Sequence, residues 1–154
     1  MTRCCKTNYF YKEFDCSVLV NTSYNDKKVN QEIDTLVGAP FGFFERIKMS
    51  GVGSPQMRIR TASKEILSLL NKNTNRNVAN IELRPKGIIV RFNSRLENYA
   101  LVIPYFKLSL FKGEKDSSAV FCDQHKITFE VYNKQVSNFM KRLLSEKAKQ
   151  IATN

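Results

Sequence analysis

Residues 81–92 read Ile81-Glu82-Leu83-Arg84-Pro85-Lys86-Gly87-Ile88-Ile89-Val90-Arg91-Phe92. Ile81 and Leu83 alternate with Glu82 and Arg84, the period of a strand with one buried face. Pro85-Lys86-Gly87 is a turn signal, because proline presets φ and glycine accepts φ > 0. Beyond it Ile88, Val90 and Phe92 share a face with Arg91 opposite, so the stretch predicts an antiparallel hairpin. Outward from this hairpin the dominant period stays at two.

Upstream, residues 43–50 read as a strand and Gly51-Val52-Gly53-Ser54-Pro55 as the turn that closes it. Gln56-Met57-Arg58-Ile59-Arg60 then alternates, Met57 and Ile59 on one side and Arg58 and Arg60 on the other. Residues 65–70 fit a short helix or a buried strand equally well. Residues 71–77 are a polar, Asn-rich loop. Downstream, residues 93–98 read as a hairpin loop and residues 99–103 as a strand. Pro104 reads as a kink or edge position and residues 105–112 as strand again. A last hairpin places Val120-Phe121-Cys122 and residues 127–132 around the turn Asp123-Gln124-His125-Lys126. The period then switches. Val136, Phe139, Met140, Leu143, Leu144, Ala148 and Ile151 recur at helical spacing, with Asn133 placed to cap the first turn.

The first forty residues differ. Tyr9, Phe10, Tyr11 and Phe14 cluster ahead of the β-like run Val18-Leu19-Val20. A polar stretch, 21–30, leads to Ile33, Leu36 and Val37 at near-helical spacing before Gly38-Ala39-Pro40. We read residues 1–40 as an extension packed on a β-rich domain, 41–154, whose C-terminal helix is amphipathic. The fold class is α+β: a strongly bent antiparallel sheet, or partly open β-barrel, leaves an apolar opening that the final helix closes.

That order of parts resembles the pleckstrin-homology-like (PH-like) superfold of small bacterial domains. The likeness is carried by Lys86-Gly87-Ile88-Ile89-Val90-Arg91-Phe92, by Leu101-Val102-Ile103-Pro104-Tyr105-Phe106-Lys107-Leu108, and by the strand from Ile127 to Tyr132 running into the helix. It spans roughly residues 43–150 and is a likeness of pattern. Asn80-Ile81-Glu82-Leu83-Arg84-Pro85-Lys86-Gly87 also resembles an uncharacterised bacterial family, which implies no function. In many PH-like domains the loop between the first two strands holds headgroup phosphates. The corresponding loop here, 51–55, has no Lys or Arg.

Charge is the strongest bulk signal. Lys plus Arg number 25 and Asp plus Glu 14, a net +11 over 154 residues. Residues 1–77 carry 12 basic and 7 acidic side chains, residues 78–154 carry 13 and 7, so the halves are +5 and +6 and no basic arm stands out. Arg46 and Lys48 share a face of their predicted strand, as do Arg58 and Arg60. If the two strands pair, these four cations line one anion-binding patch suited to lipid headgroups or nucleic acid.

Catalytic and metal chemistry find little purchase. His125 is the only histidine, and it reads as an exposed turn residue. Cys122 lies three residues before it, on a strand that points its thiol inward, so the pair makes a poor nucleophile and base. Cys4, Cys5, Cys16 and Cys122 follow neither a zinc spacing nor a disulfide framework, and reduced thiols in a cytoplasm fit them best. The loop at Gly51 lacks the Gly-Lys-Ser/Thr ending of a phosphate cradle. No leader follows Met1, and no stretch approaches the ~20 apolar residues of a membrane span. The sequence therefore implies a cytoplasmic, non-enzymatic interaction module with no metal and no cofactor. Its expected partner is a protein or peptide added at an open sheet edge. Anionic lipid or nucleic acid bound by the basic strand face is the alternative.

Overall fold

The computed structural model describes residues 18–70 and 77–153. The cluster Tyr9 to Phe14, Cys4, Cys5, Cys16 and most of the Asn-rich loop lie outside these. Among the described residues the chain forms strand β1 (Val18–Asn21), helices α1 (Lys27–Val37) and α2 (Phe43–Lys48), strand β2 (Met57–Ala62) and helix α3 (Lys64–Leu70). Strands β3 (Val78–Arg84), β4 (Gly87–Ser94) and β5 (Glu97–Pro104) follow, then a single 3₁₀ turn (Tyr105–Lys107). Strands β6 (Ser109–Lys112), β7 (Ser117–Cys122) and β8 (His125–Glu130) lead into helix α4 (Lys134–Ala152).

The eight strands make one antiparallel sheet in the order β1-β5-β4-β3-β2-β8-β7-β6. Among the described residues the sheet is open, with β1 and β6 as its ends, so the fold is α+β with an open antiparallel sheet. It is nevertheless curled. β5 and β6 stand six places apart, about 29 Å in a flat sheet at 4.8 Å per strand. Only the four residues Tyr105, Phe106, Lys107 and Leu108 join them, a reach of at most about 18 Å. The sheet must bend to bring those strand ends together.

The hairpin that opened the reading is β3–β4, paired from Ala79↔Phe92 to Arg84↔Gly87. Ile81, Leu83, Ile88, Val90 and Phe92 enter one large core with Met57, Ile59, Ile127 and Phe129. Helix α4 adds Val136, Phe139 and Leu143 to it, and α3 adds Ile66 and Leu70. Asn133 caps α4 as expected, its Oδ1 accepting from Val136 N at 2.9 Å. The buried stripe of α4 is narrower than expected: Leu144 and Ile151 are exposed. A second, smaller core lies on the opposite face, where Val29, Ile33 and Val37 of α1 cover Val20, Ile89, Ala100 and Val102. Covered on both sides, β4 reads as the unbroken run Ile88-Ile89-Val90. Residues 18–38 thus contribute a strand and a covering helix to the same sheet.

A buried guanidinium ties α1 down. Arg84 donates to Glu82 at 2.7 Å, to Asp34 of α1 at 3.1 Å and to Gly38 O at 3.2 Å. Glu82 also accepts from Arg91 at 3.2 Å, which completes a chain of alternating charge.

Four local expectations are corrected. Residues 43–48 are helical, because β2 already has β3 and β8 on its two sides and offers no edge to a further strand. Residues 105–112 are not one strand, since the 3₁₀ turn carries the chain from β5 across to β6. Residues 93–98 are not a loop: β4 runs to Ser94 and β5 restarts at Glu97, with Arg95 at φ 57° making a two-residue turn. The last hairpin is equally tight. Asp123 at φ 51° and Gln124 form the turn, so His125 begins β8 opposite Cys122. The ambiguous 65–70 stretch is the helix α3.

Candidate functional site

The four cations of the expected patch do not meet on paired strands. Arg58 and Arg60 do point outward from β2, while Met57 and Ile59 are buried beneath them. Both flank Glu130 of β8, at 3.8 and 3.9 Å. Arg46 and Lys48 belong to helix α2 instead. The loop after it is occupied by the protein's own backbone. Ser54 N and Oγ bind Ile81 O and N at 2.8 Å, Leu83 N donates to Val52 O, and Gly53 bridges to Glu82. Those bonds leave the loop poorly built to cradle an anion.

His125 is also placed differently from its expected position. It is 6% exposed, on the core side of the sheet beside the fully buried Cys122. Its Nδ1 makes no hydrogen bond and lies 3.6 Å from Glu65 Oε2. Burial lowers its pKa, and the carboxylates of Glu65 and Asp123 oppose that shift. With the thiol sealed in the core, no substrate atom can approach the sulfur, so the two side chains form part of the packing. Among the described residues, no three His, Cys, Asp or Glu side chains converge as metal ligands.

A prediction follows from the buried imidazole. Below about pH 6.5 an unfolded chain protonates His125, whereas the folded chain resists. The unfolded state then binds more protons, so this stability is present above about pH 6.5 and is lost on acidification. Melting curves at pH 7.5 and 5.5 should show a larger drop for wild type than for His125→Gln. Equal drops would place the titration elsewhere.

A polar cleft of about 380 Å³ lies between the β1–α1 connection and the ends of β4 and β5, lined by Thr22, Tyr24, Asn30, Arg91, Asn93 and Asn98. Much of its wall is already paired internally. Thr22 N donates to Asn98 O at 2.7 Å, Asn98 N to Ser23 Oγ at 2.8 Å, and Asn30 Nδ2 to Asn25 Oδ1 at 3.1 Å.

The β6 end of the sheet presents a backbone edge: among the described residues β6 pairs on one side only, with β7. Cross-strand partners share a face. The register Phe111↔Ala119↔Thr128 and Ser109↔Phe121↔Lys126 therefore sets Phe111, Phe121 and Lys126 on one outer surface. Phe111 is 58% exposed and meets Phe121 edge-to-face, the centroids 6.4 Å apart. Phe106 of the 3₁₀ turn is also exposed. Helix α1 covers the β4, β5 and β1 part of this face of the sheet and leaves Phe111 and Phe121 open. Arg58, Arg60 and Glu130 lie further along it on β2 and β8.

The sequence reading missed these phenylalanines. Alternation reveals that Phe111 sits on a strand, but not that the strand is the last one in the sheet. Of the tyrosines that could stack on a base, Tyr105 is buried, Tyr99 stacks on Phe92 at 5.8 Å, and Tyr132 is exposed with its hydroxyl donating to Gln56 O at 2.7 Å. No helix among the described residues is long and apolar enough to cross a membrane. Compared with known proteins, the chain matches no protein-family model, and no curated protein or solved structure is significantly similar to it.

Proposed function

We propose that this chain is a cytoplasmic, non-enzymatic interaction module of PH-like architecture that binds an extended, acidic peptide segment along β6. The curled antiparallel sheet with α4 packed in its concave core supports the PH-like reading. The observation that carries the functional one is the exposed Phe111–Phe121 pair beside a strand edge that no described residue pairs with. An added strand would satisfy the outward amides and carbonyls of Ser109–Lys112 and bury its own alternate side chains on the two rings. Lys126 on the same surface, two strands in from β6, together with the net charge of +11, gives a long-range preference for carboxylates in that segment. Four residues make a short edge, so side-chain pockets have to supply much of the affinity.

A random-peptide display selection on the intact domain tests this. It should enrich extended sequences with acidic and apolar residues alternating. Phe111→Asp should weaken the winners at least tenfold without moving the melting temperature by more than about 2 °C, since the ring is largely exposed. No enrichment, or winners insensitive to Phe111→Asp, overturns the reading. Tight binding of single-stranded oligonucleotides that is lost in Arg58→Glu/Arg60→Glu would make this face a nucleic-acid platform instead.

A further inference from the structure

Helix α2 is exposed along its whole length. No residue from Phe43 to Lys48 is buried, and Phe43, Phe44 and Ile47 are 72, 78 and 60% exposed. Solvent-exposed apolar side chains are ordinary when scattered, but three in one helix form a patch that calls for a cause.

The helix is not a frayed loop. Phe41 before it, and Met49 and Val52 after it, pack against the main core. Gly42 N donates to Glu45 Oε2 at 2.9 Å and closes the first turn. Arg142 of α4 donates to Met49 O at 2.6 Å and fixes the far end. Among the described residues the fold holds both ends of α2 and leaves Phe43, Phe44 and Ile47 between them exposed, while Arg46 Nε donates to Phe41 O at 2.9 Å and keeps that side chain beside the stripe.

The angular order of the residues indicates what the patch meets. At about 100° per residue, Phe43, Ile47 and Phe44 fall within an arc of roughly 100°. Arg46 flanks that arc on one side and Lys48 on the other. The single acid, Glu45, falls on the opposite side and turns back to cap Gly42 N. An apolar stripe bordered by cations on both sides complements the boundary between acyl chains and anionic headgroups. A helix of about 9 Å is also too short for a groove that reads anchors at i, i+3, i+4 and i+7.

We propose that α2 is a membrane-surface anchor: Phe43, Phe44 and Ile47 enter the headgroup boundary of an anionic bilayer while Arg46 and Lys48 contact its lipid phosphates. This surface is separate from the β6 edge and stands or falls independently of it. The test is co-sedimentation of the intact protein at ~0.1 M salt. The vesicles are phosphatidylcholine, alone or with one part in three of phosphatidylglycerol.

Wild type should bind the anionic vesicles and leave the neutral ones. Phe43→Ser/Phe44→Ser and Arg46→Glu/Lys48→Glu should each weaken binding more than tenfold, since each charge near such a surface contributes about fivefold. The exposed substitutions should leave the melting temperature in place. Arg58→Glu/Arg60→Glu changes the net charge equally but lies elsewhere, and should cost far less binding than reversal on α2. Equal losses from the two charge reversals would mean non-specific attraction and overturn the proposal. So would absence of binding, or self-association abolished by Phe43→Ser/Phe44→Ser without any vesicle binding, which would make the patch a contact between two copies.

Discussion

Phe139→Ala is expected to destabilise the protein by about 3–5 kcal/mol, as for other phenylalanine truncations in a core. At about 2–4 °C per kcal/mol for a chain of this size, the melting temperature should fall by roughly 6–20 °C. The ring is nearly fully buried between the sheet and α4, in one cluster with Val136 and Leu143, and its face carries the Arg142 guanidinium at 5.5 Å. Truncation therefore opens a cavity in the main core and disturbs the arginine that fixes the end of α2. Leu144→Ala is the matched control. Leu144 follows Leu143 but is 56% exposed, so its truncation should shift stability by no more than about 0.5 kcal/mol. Calorimetry on the two variants separates a helix built into the core from one that merely rests on it; an unchanged melting temperature in Phe139→Ala would show α4 to be detachable.

The second large effect is expected at Gly87, the first residue of β4. A Cβ there would lie 2.4 Å from Ile103 O, 2.6 Å from Val37 Cγ1 and 2.9 Å from the Pro104 Cα. Two of these are backbone atoms of β5, which cannot move without disturbing its pairing with β4. The third belongs to the last turn of α1. Gly87→Ala must push α1 off the sheet or shift β5, at a cost near or above the upper end of the ~1–3 kcal/mol typical of overpacking. Gly53→Ala is the control, with ordinary φ and nothing within 4 Å of the added methyl. It should be neutral or slightly stabilising, because it reduces the freedom of the unfolded chain. If chemical denaturation finds the two variants alike, the close approach of β4, β5 and α1 is wrong.

Gly87 also shows how far a sequence reading reaches. It was legible as part of a turn, and it does begin β4 directly after Pro85-Lys86. That it is required for the contact with Val37, fifty residues away, is a property of the packed structure. The same division holds at the surface. Arg58 and Arg60 alternate with Met57 and Ile59, and the outward direction of both arginines follows from that period alone. Arg46 and Lys48 have the same i, i+2 spacing, yet they flank an exposed helical stripe. The pattern Phe-Phe-Glu-Arg-Ile-Lys is too short for its period to distinguish the two conformations.

What the sequence by itself determined is the local and periodic part: the β3–β4 hairpin, the alternation of β2, and the α4 stripe with its Asn133 cap. These depend on residues a few positions apart, where side-chain direction follows from backbone geometry. Only the tertiary structure decided which strands are neighbours and which are last. Pairing β2 with both β3 and β8 excluded residues 43–50 from the sheet, and residues 43–48 form a helix instead. A tight two-residue turn moved His125 from solvent into the core. Placing β6 at the end left Phe111 and Phe121 exposed. Each of these outcomes depends on which distant segment occupies a backbone edge or covers a face, and that competition has no counterpart in the spacing of residues along the chain.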